Sequence, residues 1–149
     1  MSSTIETLIL NRVEELLTAI EEIKRVLVEQ FAPVRREGLP MPITGIYFEE
    51  QDVDNRNRVD AVTGILHIET VWFVPEGQQF KRKEAAQIKH LINAALFDDS
   101  TLLEYVKKFE RLPSRYELPF DDMVYLVTDY RLTYFHKRGD MTTKQYQQS

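Results

Sequence analysis

The sequence predicts an α+β domain: a mainly antiparallel or mixed β-sheet of about four strands, flanked by a long N-terminal helix and a second helix. Three observations predict it. Apolar residues recur every three or four positions from Ile5 to Phe31 and again from Ala85 to Leu96, which is the helical period. The stretches Gly64 to Val74 and Met123 to Phe135 are rich in β-branched and aromatic side chains, which suit a pleated, half-buried surface. Proline-bearing and polar segments separate these stretches and mark where one element stops and the next begins.

The first helix is expected from about residue 3 to 31. Ser3 and Glu6 have the spacing of a capping box, and the stripe that includes Ile5, Ile9, Val13, Leu17, Ile20 and Leu27 faces away from Glu14, Glu21 and Arg25. At ~1.5 Å per residue such a helix would be about 40 Å long. Pro33 and Gly38 end it, and three prolines and a glycine between Ala32 and Pro42 describe an ordered crossover. A strand follows from Ile43 to Glu50. The polar run Gln51 to Arg58 is then expected as an exposed hairpin loop or a ribbon reaching away from the body.

From Val59 the chain enters its most apolar strand, with Leu66, Ile68, Thr70, Trp72 and Val74 on one face and Ile65, His67, Glu69, Val71 and Phe73 on the other. A strand apolar on both sides must be covered on both, by a helix or by a partner chain. Pro75 and Gly77 end it, and a helix is expected from about Lys83 to Phe97. Thr101 and Glu104 suggest a capping box for a short helix reaching about Lys108. Pro113 and Pro119 make Glu110 to Asp122 a turn-broken edge strand or loop. Met123 to Phe135 is the last strand, with Tyr130 among its inward residues, and Leu66, Ile68, Trp72 and Tyr130 are the expected core anchors. Residues 1–136 thus form one domain, and 137–149 a polar, aperiodic tail.

A chain of 149 residues can bury a core of its own. It contains no cysteine, which excludes disulfides, thiolate zinc sites and a cysteine nucleophile. Its formal net charge of -5 opposes binding nucleic acid by counterion release. The N-terminus lacks the basic and apolar regions of a signal peptide, and no apolar run is long enough for a membrane span, so synthesis and retention in the cytoplasm are expected.

Candidate chemistry is sparse. Asp52, Asp54 and Asn57 hint at a calcium loop, but Arg56 stands where a ligand is needed and no acidic residue closes the loop. His67 and Glu69 share a strand face, yet neither His90 nor His136 has the spacing to complete a metal site or a catalytic set, so a half-buried histidine bonded to a neighbour is expected. The adjacent acids Glu49-Glu50, Asp98-Asp99 and Asp121-Asp122 are not dyads, because neighbours on a strand point to opposite faces. Arg138-Gly139-Asp140 reads as turn chemistry after the last strand. No phosphate loop, nucleophile elbow or paired-histidine zinc motif occurs. No catalytic residue, metal site or cofactor is therefore expected.

The element order, together with Leu66-His-Ile-Glu69 running into Trp72-Phe73-Val74-Pro75 and the tyrosine-rich Tyr125 to Tyr134, resembles the tail terminator, or tail completion, proteins of long-tailed bacteriophages such as lambda. The resemblance covers roughly residues 5 to 136. It implies a non-enzymatic virion subunit, assembled in the host cytoplasm, that forms a hexameric ring, caps the tail tube, ends its polymerisation and offers the face to which the head attaches. Its implied partners are copies of itself, the tail tube protein and a head completion or neck protein, with DNA passing through the ring without specific binding and no membrane involved. On that basis Glu14, Glu21 and Arg25 are candidate ring contacts, and Glu50, Asp52, Asp54, Arg56 and Arg58 a candidate partner-contact loop. A head-to-tail connector is the nearest alternative. A small-ligand domain would need a concave pocket on the His67 face.

Overall fold

A computed structural model describes residues 4–29, 40–55, 58–120 and 122–144. In chain order the elements are α1 (Ile5–Thr18), β1 (Arg25–Val28), β2 (Ile43–Asp54), β3 (Val59–Phe73), α2 (Arg82–Phe97), α3 (Ser100–Tyr105), β4 (Lys108–Arg111), β5 (Arg115–Phe120), β6 (Met123–Lys137) and β7 (Asp140–Lys144). The sheet is seven-stranded and runs β1-β2-β3-β6, with β7, β4 and β5 arranged in turn along the far edge of β6. Among the described strands only β1 and β2 are parallel. The fold is therefore α+β with a mixed sheet, but the expected four strands are seven and the expected long N-terminal helix is short.

The helix correction has a local cause. Thr4, not Ser3, caps α1, its hydroxyl accepting from the Thr7 amide at 3.1 Å. The helix closes at Ala19, whose N–H reaches back to the Glu15 carbonyl. Beyond it, Ile20, Ile23, Val26 and Leu27 fit the helical period, but Val26 and Val28 also alternate as a strand requires, and β-branched residues favour that state when a partner strand is present. That partner is β2, which aligns Arg25 with Ile43 and Val28 with Ile46. Glu14 thus lies half-buried on α1, Glu21 in the turn after it, and Arg25 on an edge strand, so the three do not share one helix face. The expected crossover at 32–42 falls largely on residues outside those described.

Three further expectations change. The polar run 51–58 is mostly strand, because β2 passes a register shift between Glu50 and Asp52 and pairs on to Asp54 with Ala61. Glu50, Asp52 and Asp54 therefore lie in β2, Arg58 sits in the turn at φ 62°, and Arg56 lies outside the described residues. The tail is not aperiodic throughout: Arg138 and Gly139 turn the chain, Gly139 at φ 80°, and Asp140 pairs with Lys137 to begin β7. Residues 145–149 lie outside the description. Finally, α3 is capped by Asp99 rather than Thr101, the carboxylate accepting from the Leu102 amide at 2.8 Å, and it ends at Tyr105.

Alternation divides the sheet into two unlike faces. All three helices cover the even-numbered face, where Ile5, Ile9, Val13 and Leu17 of α1, Ile88, Ile92 and Leu96 of α2, and Leu102 of α3 enclose Ile46, Leu66, Ile68, Tyr130 and Leu132. Leu66 and Ile68 have no exposed surface and Tyr130 retains 1%. Trp72, expected as an anchor, is only half-buried, so its truncation costs less than full burial would imply. The opposite face holds a small cluster of Ile43, Val71 and Met123, packed against Leu27, Met41, Phe73 and Tyr125.

Asp99 ties α1 to α3. Besides its capping bond it receives Arg12 Nε at 2.9 Å and Nη2 at 2.6 Å. The Arg12 hydrogen bond is the main reason its carboxyl is held below the usual carboxylate range. A lowered folded pKa gives stability that is present above the unfolded value of about 4 and lost as pH falls through the folded one. Asp99→Ala is expected to cost about 1 kcal/mol as a lost cap. The deficit, followed by urea titration, should shrink between pH 6 and pH 3.

Candidate functional site

The face away from the described helices carries a chain of polar contacts across four strands. Register places Tyr47, His67 and Asp129 in one row of β2, β3 and β6. His67 Nδ1 lies 3.0 Å from Asp129 Oδ1, and Nε2 lies 2.9 Å from Glu49 Oε2, two residues along β2 from Tyr47. The Tyr47 ring stacks on the imidazole at 4.6 Å between centroids. On the other side of Asp129, Arg115 Nη1 of β5 approaches Oδ2 at 3.5 Å, and its Nε donates to Glu117 at 2.8 Å. Glu49, His67, Asp129, Arg115 and Glu117 thus form a continuous belt. Asp129 is its buried centre, with only 8% of its side chain exposed.

Burial and like charge shape this face. Desolvation, followed by the nearby Glu117 carboxylate, raises the Glu69 carboxyl above its ordinary value. Burial, reinforced by Glu69, Asp129 and Glu49, pushes the Tyr47 phenol up to about 12. A raised carboxyl favours the neutral form in the fold, so its contribution is present below the unfolded pKa of about 4 and lost as pH rises through the folded value. Glu69→Gln is accordingly expected to raise Tm by about 1–2 °C at pH 7 and to change it little at pH 4, a contrast a pair of melting curves would resolve.

Chemically, an aspartate-oriented imidazole is half of a general-base pair. Here the second nitrogen faces another carboxylate, and no hydroxyl nucleophile bonds to the ring among the described residues. As a neutral imidazole the ring donates to one of its two partners, and as an imidazolium to both. Among the described residues no group of three or more His, Asp or Glu side chains is placed to hold a metal ion. His136 is buried, its Nδ1 2.9 Å from the Lys137 carbonyl, while His90 is exposed on α2. His67 is the half-buried, neighbour-bonded histidine that its strand position suggests, but its partners are Asp129 and Glu49 rather than Glu69. Sequence reasoning passed over Asp129; an acid set among Val127, Thr128 and Tyr130 in an otherwise inward strand was the available signal.

A cleft of about 470 Å³ lies on the helix-covered side, lined by Glu22, Lys24, Pro42, Trp72, Lys83 and Ile88 among others. His67, where a small-ligand domain would need a pocket, is not among its lining residues. No helix among the described residues is long and apolar enough to cross a membrane. The chain matches no family model and no curated protein.

Proposed function

We propose that the chain is a structural subunit that closes into a ring of the tail-terminator kind, capping a tail tube and presenting a face for head attachment. The observation that carries this is the sheet's second face. All three described helices lie on one side, and among the described residues the other side carries half-exposed Tyr47, Phe73 and Tyr125 beside a belt of linked charges. Aromatic groups ringed by satisfied polar side chains are the composition of an interface. A cyclic ring uses heterologous contacts, so two different surfaces must match, and a subunit whose two sides differ this much meets that condition. The net charge of -5 suits a channel that lets DNA pass without holding it.

Native mass measurement tests the assignment, on the purified protein and on its mixture with the tail tube subunit of the same particle. A species at six times the 17.6 kDa subunit is expected, at least in the mixture. A strictly monomeric protein in both samples would overturn it, and binding to a head completion protein but never to tube would make the chain a connector instead.

A further inference from the structure

The sheet ends on both sides in short strands whose outer edges pair with nothing among the described residues: β1 on one flank, β5 on the other. Exposed strand edges are templates for pairing, and stable proteins usually blunt or cover them. Resting on the ring assignment above, we infer that β5 of one subunit adds to β1 of the next, so that the sheet continues from copy to copy.

Register supports this pairing at the level of single residues. Across the sheet Glu117 is aligned with Tyr125, Tyr125 with Val71, Val71 with Ile43, and Ile43 with Arg25. A copy set alongside at the same level therefore brings Glu117 opposite Arg25. The neighbouring rows bring Tyr116 opposite Val26 and Arg115 opposite Leu27. Counting strand directions through the sheet makes the new pair antiparallel. Each match is favourable: opposite charges, an aromatic against a β-branched residue, and an arginine stem over leucine.

Two further features agree. The Glu29 N–H donates inward to the Ile46 carbonyl, so alternation along β1 turns the amides of Val26 and Val28 outward. Leu118, the most exposed of the described large apolar side chains at 69%, follows Glu117 along β5 and comes level with Lys24, which lines the cleft together with Pro42 and Trp72. An exposed leucine on one edge and, beside the other, a recess whose apolar part is Met41, Pro42, Trp72 and Ile88 make a knob and its socket. The two edges differ, so the contact is heterologous; it closes a ring if the subunit rotation closes and otherwise grows a filament.

Directly opposed residues in an antiparallel pair lie close enough for a disulfide, and the chain has no cysteine to interfere. The doubly substituted Arg25→Cys, Glu117→Cys protein, assembled as in the native mass measurement and then oxidised, is expected to give a ladder of covalent multiples on a non-reducing denaturing gel. The ladder should stop at the ring mass and collapse with reductant, and either single substitution should give monomer. In parallel, Arg25→Glu and Glu117→Arg should each weaken assembly about tenfold, and their combination should restore it to within about threefold. An assembly of unchanged mass that gives no ladder would overturn this contact while leaving the ring standing. A dimer from Arg25→Cys alone would overturn it in favour of like-with-like edge pairing. No assembly in any sample would remove the ring assignment, and this contact with it.

Discussion

Truncating Tyr130 to alanine is expected to cost about 3–5 kcal/mol of folding stability, the range for removing a large buried aromatic. Tyr130 sits in β6 between the sheet and the α2–α3 layer and retains 1% of its surface. Its ring stacks on Phe109 at 5.2 Å and leans on Phe97 at 5.9 Å, and those two rings meet at 4.8 Å, so one truncation opens a void against both neighbours. Burial pushes its phenol up to about 12, and the hydroxyl reaches Asn93 Oδ1 at a long 3.4 Å. Tyr130→Phe should therefore cost only about 0.5–1.5 kcal/mol, since it removes one weak hydrogen bond and keeps the packing. Urea unfolding of the two variants measures the contrast. If Tyr130→Ala unfolded within 1 kcal/mol of the native protein, the three-ring cluster would not be part of the core.

The second large effect is expected at Gly64, for the opposite reason. Gly64 lies in β3 opposite Glu50, just before β2 shifts register, and the Phe48 ring lies across it. A Cβ placed there would meet the Glu49 carbonyl oxygen and would lie 2.5 Å from the tip of the Phe48 ring. The ring could turn aside, but the carbonyl belongs to the ladder joining the two strands and cannot move without breaking register. Gly64→Val is expected to cost about 3 kcal/mol, the upper end for overpacking. Adding Phe48→Ala should recover less than half of it, a non-additivity that a double-mutant cycle on thermal or urea unfolding would show. Full recovery would mean that the ring alone occupies the space. Gly77, by contrast, has nothing within 4 Å of an added Cβ, so Gly77→Ala should cost about 1 kcal/mol, from its φ of +86° alone.

Elements with one consistent period were legible. The stripe Ala85, Ile88, Ile92 and Leu96 is the buried face of α2, and Leu66, Ile68 and Tyr130 are core residues where alternation put them. Segments that satisfied two periods were not. Ile20, Ile23, Val26 and Leu27 continue a helix on paper, and only the availability of β2 as a partner decided that β1 forms. Polar strands were equally hidden: Glu50 to Asp54 and Asp140 to Lys144 carry few apolar residues, and they are strands because β3 and β6 are long enough to pair with them.

The candidate site divides in the same way. That His67 would be a half-buried strand histidine followed from its position between Leu66 and Ile68. Its partners did not, because Asp129 is 62 residues away and Glu49 is 18. No local pattern brings such groups together; register does.

The sequence by itself determined the alternation of helices and strands, the inward faces of β3, β6 and α2, and the poverty of local catalytic motifs, since each of these depends on residues within a turn or two of one another. The tertiary structure alone decided where α1 stops, that the described helices all lie on one face of the sheet, and that Glu117 and Arg25 stand level on opposite edges. Those features depend on which strands pair and in what register, and pairing free energy is gained only when residues distant in the chain meet.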